Sequence, residues 1–295
     1  MSESPAWSRF VRFLSTDNRE LCGEPEDPSV DVGLAIAANE EVRVKVLGGS
    51  SALSSGPWTG EVAVVRKLLS PLSTQEVGTI RCIGLNFKDH AAELKCPLPS
   101  VPEVFFKPAQ CINNPFDPVV LPSSAPAAID AEVELAVVIG RECKNVDTSS
   151  ALDYVLGYTI ANDITARDVQ ARVSQWGYAK GYDGFCPLGP VLVSPKAPGL
   201  DVENLDMKTK LDGHVLQDGT SSQMIFSVAE IISYLSKDTT LPAGTLILTG
   251  TPSGIGHSYS PPRYLRAGCH QQISISSGCG TLINPVVSDV AEPKL

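Results

Sequence analysis

The acids of Asp130-Ala-Glu132-Val-Glu134-Leu-Ala-Val-Val-Ile139 stand at the head of an otherwise apolar run. Side chains at i and i+2 of a β-strand share a face, so Glu132 and Glu134 project together. Two carboxylates that close repel each other unless a cation sits between them. Tyr158-Thr-Ile-Ala-Asn-Asp163 is a second apolar run ending in an acid, and neighbouring strands of one sheet would bring Asp163 to the pair. Three carboxylates without thiolate or imidazole suit a hard divalent ion, Mg²⁺ or Mn²⁺, with positions left for water or substrate. Two plainer readings stand beside this one. Glu132 and Glu134 also fit a solvated strand end, and Asp163 also fits the N-cap of a helix beginning at Thr165.

His90 and Glu93 are spaced i, i+3 and share one face of a helical turn. A carboxylate accepting one imidazole N–H fixes the tautomer and leaves the other nitrogen a better base, able to deprotonate water or a substrate carbon. A surface His–Glu pair is the alternative. Lys180 opens a Gly/Pro-rich stretch, Lys180-Gly-Tyr-Asp-Gly-Phe-Cys-Pro-Leu-Gly-Pro190, and Lys107 lies at the end of a strand candidate in Phe105-Phe-Lys-Pro108. Gly250-Thr-Pro-Ser-Gly-Ile-Gly256 follows an apolar run. Its backbone N–H groups and the Thr251 hydroxyl could meet an anion, or the stretch is a plain turn.

The elements that must carry these residues are mostly short strands. Candidates span 80–85, 103–107, 133–139, 155–162, 191–193, 205–211, 245–249 and 272–275, with Asp212-Gly213 as a two-residue hairpin turn. Ser227-Val-Ala-Glu230 is a capping box that opens an amphipathic helix; short helices are expected after Asp147-Thr148 and over 166–173. The first 75 residues read as a small β-rich domain with short apolar segments at 32–38 and 42–47, a Gly/Ser-rich stretch and a strand at 61–66. Residues 76–295 form the second domain. The fold class is mixed β with few helices (α+β), without the βαβ alternation of a nucleotide-binding sheet.

The chain has 295 residues, 43% of them hydrophobic and 19% charged, which suffices for a large core. A net charge of −10 argues against a nucleic-acid partner. The apolar runs are too short to cross a membrane, and no secretory signal is visible. The expected compartment is the cytoplasm, with mitochondrial import left open. Eight cysteines with no CxxC or CxxH pair read as reduced, mostly buried small hydrophobes.

In order along the chain, six motifs closely resemble the fumarylacetoacetate hydrolase family. They are Ile83-Gly-Leu-Asn-Phe-Lys-Asp-His-Ala-Ala-Glu93, Phe105-Phe-Lys-Pro108, Glu132-Val-Glu134, the stretch from Gly157 through Asp163 to Gln170, the Lys180 segment, and Gly250-Thr-Pro252. The resemblance implies a β-sandwich roll that is usually dimeric, hence a homodimer. It also implies Mg²⁺ or Mn²⁺ on Glu132, Glu134 and Asp163, and a catalytic set of His90, Glu93 and Lys180 with the dyad on a lid. Substrate contacts would fall on Lys107, Arg167, Gln170 and Thr251. The implied partner is a small-molecule keto-acid with a 2-oxo acid or 1,3-diketone head, gripped by the metal so that an enolate is stabilised. Acylpyruvate C–C hydrolysis and oxaloacetate decarboxylation both use such a metal-bound enolate. Isomerisation, a tailoring step of specialised metabolism, and a binding protein with a vestigial site are the other readings. Two departures stand out: Gly181 and Gly184 flank Tyr182-Asp183 where the family has Ser and Thr, and Phe87 replaces the common Tyr.

Overall fold

The computed structural model describes residues 6–125 and 127–289. Strands are the main regular structure, with few helices, and are arranged in two large sheets and a two-stranded ribbon. The long sheet begins with Glu20–Pro25, Arg43–Leu47, Trp58–Leu69 and Arg9–Ser15, and continues through Cys186–Val193 and Val155–Asn162 to Val133–Ile139. Leu246–Leu248, Thr79–Gly84 and Glu103–Pro108 end the row, and Ile112–Asn113 pairs off it with Cys186–Val193. Packed over it is a five-stranded sheet ordered His214–Thr220, Asp206–Leu211, His270–Ile275, Gly280–Ser288 and Val119–Leu121. Val133, Leu135 and Val137 of the first sheet share one apolar cluster with Met207, Ile273 and Ile275 of the second.

Val133–Ile139 is buried at every position. A strand covered on both faces reads as a continuous apolar run and not as an alternating one. Its pairing with Val155–Asn162 joins Val133 to Asn162 and Leu135 to Ile160. That register makes the site, because it sets Glu132 directly across from Asp163, whose N–H donates to the Glu132 carbonyl at 2.9 Å.

Local chemistry sets the other expected elements. Asp212 and Gly213 adopt φ of 50° and 78°, the left-handed pair that a two-residue hairpin needs. The Ser227–Glu230 capping box is complete and opens the helix Val228–Ser236, which buries Ile231, Ile232 and Leu235. A 3₁₀ helix follows Asp147 over Thr148–Tyr154. One apolar segment gains its element, and one local expectation is corrected. The apolar segment at 32–38 is a short helix, Val32–Ala37, capped by Asp31. Asp163 caps nothing: Thr165–Ala166 pairs with Ile129–Asp130, and only Arg167–Gln170 is helical, with Ala166 at its N-cap. All eight cysteines are unpaired and all but Cys96 are buried. No helix among the described residues is long and apolar enough to cross a membrane.

Candidate active site

Glu132, Glu134 and Asp163 each offer a carboxylate oxygen within 4.8 Å of the others, and all three side chains are buried. Opposed residues of antiparallel strands share a face, so Asp163 joins the face that Glu132 and Glu134 already occupy. The triad lines a cavity of about 540 Å³. Three hard oxygen donors, open on one side to a cavity and free of competing thiolates, fit Mg²⁺ or Mn²⁺.

Cations crowd the cluster from the protein side. Lys180 Nζ donates to Asp163 Oδ2 at 2.5 Å, Thr165 Oγ1 at 2.8 Å and Glu132 Oε2 at 3.0 Å. Lys180 ends the short helix Gly177–Lys180, ahead of the glycines that follow it, and is 3% exposed. Arg167 Nη2 donates to Glu132 Oε1 at 2.5 Å, and its Nε and Nη2 both reach Asp130 Oδ2. Burial alone would raise the pKa of Glu132, but Arg167, Lys180 and His90 together hold it well below the usual carboxylate range. Glu134 goes the other way. Burial, with the charges of Asp163 and Glu132 beside it, pushes it well above that range despite Lys180 and the Gly250 N–H. Burial disfavours the Lys180 ammonium, yet Asp163 and Glu132 outweigh it and raise its pKa.

His90 lies on the helical turn Lys88–Glu93, with Nδ1 at 2.9 Å from Glu93 Oε2. Burial opposes the Glu93 charge, but the His90 bond and the Gly254 N–H keep its pKa low. An ionised carboxylate only accepts, so Nδ1 carries the proton and Nε2 is the basic nitrogen. His90 is on the cavity wall with the three acids.

Arg167, Gln170 and Thr251 also line the cavity, but each is already engaged. Arg167 Nη1 donates to Gln170 Oε1 at 3.2 Å, and Thr251 accepts from Gln217 Nε2 at 2.7 Å. Lys107 is corrected. It is 0% exposed and is not on the cavity wall. Its ammonium lies behind Asp163, donating to Oδ1 at 2.6 Å and to the Phe185 carbonyl at 2.7 Å. The strand Glu103–Pro108 turns that side chain into the core, where Asp163 overcomes the cost of burial and raises the lysine pKa. The 250–256 loop meets anions, and they belong to the protein. Its N–H groups serve the protein's own carboxylates: Gly250 donates to Glu134, Gly254 to Glu93 and Gly256 to Asp130, at 2.7 to 2.9 Å.

Three supporting residues escaped the sequence reading. Asp130 accepts from Gly256 N, His257 N and Arg167, and so ties the loop to the guanidinium. Asn86 binds the Thr249 and Phe226 carbonyls and the Phe226 N–H, pinning the turn before His90. Asp89 accepts from Ser253 N and Oγ. Asp130, Asn86 and Asp89 all lie within or beside the quoted motifs, which was the available signal; their partners are far along the chain.

Residues 79–287 match the family described as fumarylacetoacetate (FAA) hydrolase C-terminal, and the chain belongs to the fumarylacetoacetate hydrolase family. Among curated relatives it is 39% identical over 290 residues to a caffeoylpyruvate hydrolase of Neonothopanus nambi, covering 96% of this chain and 94% of the relative. It is 40% identical to a mitochondrial oxaloacetate tautomerase of Xenopus laevis, covering 97% of this chain and 93% of the relative. A solved 2-hydroxyhepta-2,4-diene-1,7-dioate isomerase from Mycobacterium marinum superposes with a TM-score of 0.78 at 35% identity, covering 96% of this chain and 99% of that one.

Proposed function

We propose that this chain cleaves the C–C bond of a 2,4-dioxo acid of the acylpyruvate type with water. What carries the reading is the buried carboxylate triad on the wall of the same cavity as the His90–Glu93 pair. Glu132, Glu134 and Asp163 would hold Mg²⁺ or Mn²⁺. The bound ion would supply Lewis-acid polarisation of the 2-oxo acid head.

The chain's own residues account for the rest. Nε2 of His90 takes a proton from water, whose oxygen adds to the carbonyl remote from the carboxylate. Glu93 stabilises the imidazolium that results. The carbon–carbon bond beside that carbonyl then breaks, its electron pair passing to the carbon next to the 2-oxo group. A proton returns to that carbon, leaving a carboxylate from the acyl part and pyruvate from the rest. Lys180 and Arg167 hold Glu132 ionised, and Lys180 orients Asp163 through its hydrogen bond, throughout.

A second reading is keto–enol tautomerisation of oxaloacetate, the activity in the name of the Xenopus relative. It needs only a base such as His90 to move a proton between carbon and oxygen. Incubation with acetylpyruvate and Mg²⁺ separates the two, since only hydrolysis releases acetate and pyruvate. Activity is expected to vanish with a chelator and return with the ion. Glu132→Ala should lose both Mn²⁺ binding and turnover, because it removes one of three ligands. Full Mn²⁺ affinity in that variant would rule out this metal site.

A further inference from the structure

The cavity around the triad discriminates between substrate tails. A dicarboxylic 2-oxo acid would need a second cationic partner, and the cations here are committed. Arg167 is shared among Asp130, Glu132 and Gln170, and Lys180 among Glu132, Asp163 and Thr165. In the 250–257 loop the backbone N–H groups of Gly250, Ser253, Gly254, Gly256 and His257 are taken by Glu134, Asp89, Glu93 and Asp130. Among the described residues, the other ionisable side chains on the wall are two histidines, an exposed cysteine and Glu103, whose carboxylate repels a second anion.

Beside the charged end the wall turns aromatic. Lys180 Nζ lies 4.9 Å from the centroid of the Phe105 ring. Trp176 meets Phe105 edge-on at 5.6 Å and 65°. The indole also rests on Gly84, where a Cβ would come within 2.7 Å of Trp176 Cζ3. The close fit exists only because residue 84 has no side chain, so the ring lies against the backbone there as a shelf. Ile83 and Ile255, both 1% exposed, extend the apolar wall. The volume of about 540 Å³ lies within the ~300–1,000 Å³ range of sites for ligands much larger than a four-carbon acid.

We infer that the acyl group of the substrate is uncharged, flat and aromatic and packs on the Trp176–Phe105 shelf, which makes dicarboxylic 2-oxo acids poor substrates. The inference rests on the reading of the site as one for 2,4-dioxo acids and narrows it to one kind of tail.

Purified full-length protein with saturating Mg²⁺ is assayed against three probes: benzoylpyruvate, acetylpyruvate and oxaloacetate. Burying a phenyl ring in place of a methyl predicts a kcat/KM about 10- to 100-fold higher for benzoylpyruvate than for acetylpyruvate, with oxaloacetate slower than both. Trp176→Ala should lower the benzoylpyruvate value about tenfold and the acetylpyruvate value by less than about threefold, with Trp176→Phe in between. Mn²⁺ titration reports whether each variant keeps a folded site. Acetylpyruvate or oxaloacetate turned over as well as benzoylpyruvate overturns the inference and leaves the metal-site reading standing. A substrate ratio unchanged in a Trp176→Ala protein that still binds Mn²⁺ also overturns it. Turnover of none of the three by Mn²⁺-loaded protein overturns the underlying reading and the inference with it.

Discussion

Glu132 and Glu134 share a strand face, a cavity and near-complete burial, yet their pKa values are pushed in opposite directions. Glu132 has Arg167 and Lys180 on its two oxygens and stays ionised. Among the described residues Glu134 receives one hydrogen bond, from the Gly250 N–H at 2.7 Å, and burial beside two carboxylates pushes its pKa well above the usual carboxylate range. The signs follow by linkage. Glu134 has its folded pKa raised, so its contribution to stability falls as pH climbs from the unfolded value of about 4.3 toward the folded one. Glu132 has its folded pKa lowered, so its contribution is present above that unfolded value and fades as pH drops through the folded one. A divalent ion taken up by Glu134 must expel the proton. Mn²⁺ affinity is therefore expected to rise with pH, with a proton released on binding. Calorimetric titration in two buffers of different ionisation enthalpy measures the release; a pH-independent affinity with none would contradict the ligand assignment. His90→Ala should keep Mn²⁺ affinity while kcat falls about 10²- to 10⁴-fold, the usual range for losing a general base. Glu93→Gln should cost less, because the amide oxygen still accepts from Nδ1 and only the charge is lost. Steady-state kinetics beside Mn²⁺ titration tests both.

The element that organises the site is the loop after Leu246–Leu248. Its N–H groups reach four carboxylates from three regions: Glu134, the Asp89–Glu93 turn and Asp130. A helix of six residues, Lys88–Glu93, with no side-chain cap, has little stability of its own. It is held by the bonds of Asp89 and Glu93 to this loop and by Asn86 to residues 226 and 249. Gly254 is the critical joint. Its φ is +93°, and a Cβ there would lie 2.3 Å from the Leu216 carbonyl oxygen. Gly254→Ala should cost about 1–3 kcal/mol in backbone strain alone. It should also displace the Glu93 acceptor, so that kcat falls while Mn²⁺ binding by the triad persists. Thermal melts with Mn²⁺ titration test this; wild-type kcat in a folded Gly254→Ala protein would show that the joint does not position the dyad.

Across the whole molecule, the first strands are bound into the rest. Arg9–Ser15 pairs with Cys186–Val193 through Arg9–Val193 and Phe10–Leu192. Trp7, Phe10 and Cys22 share an apolar cluster with Ala136, Ala161 and Leu248. Arg9 adds a polar clamp, its guanidinium donating to the Gly278, Pro28 and Val30 carbonyls at 2.8 to 3.0 Å. Arg9→Met would remove three hydrogen bonds to partly buried carbonyls, at a cost of about 3 kcal/mol. That lowers Tm by roughly 6 to 12 °C for a chain of this size, although Arg9 is absent from the cavity wall. A melting curve unchanged by Arg9→Met would mean that solvent takes over the three carbonyls.

Much was legible in the residues alone. The strands at 133–139 and 155–162, the Asp212-Gly213 hairpin and the Ser227–Glu230 cap all follow from short-range rules of pleat, turn and capping. The i+2 spacing of Glu132 and Glu134 and the i+3 spacing of His90 and Glu93 likewise survive into space, because the partners sit within one strand or one helical turn. What tertiary structure alone decided was long-range: that Asp163 faces Glu132 instead of capping a helix, that Lys107 stands behind Asp163, and that the loop N–H groups answer to the protein's own carboxylates. Those outcomes depend on strand register and on which buried charge finds which partner. Both are set by packing the whole core at once, and no local spacing encodes them.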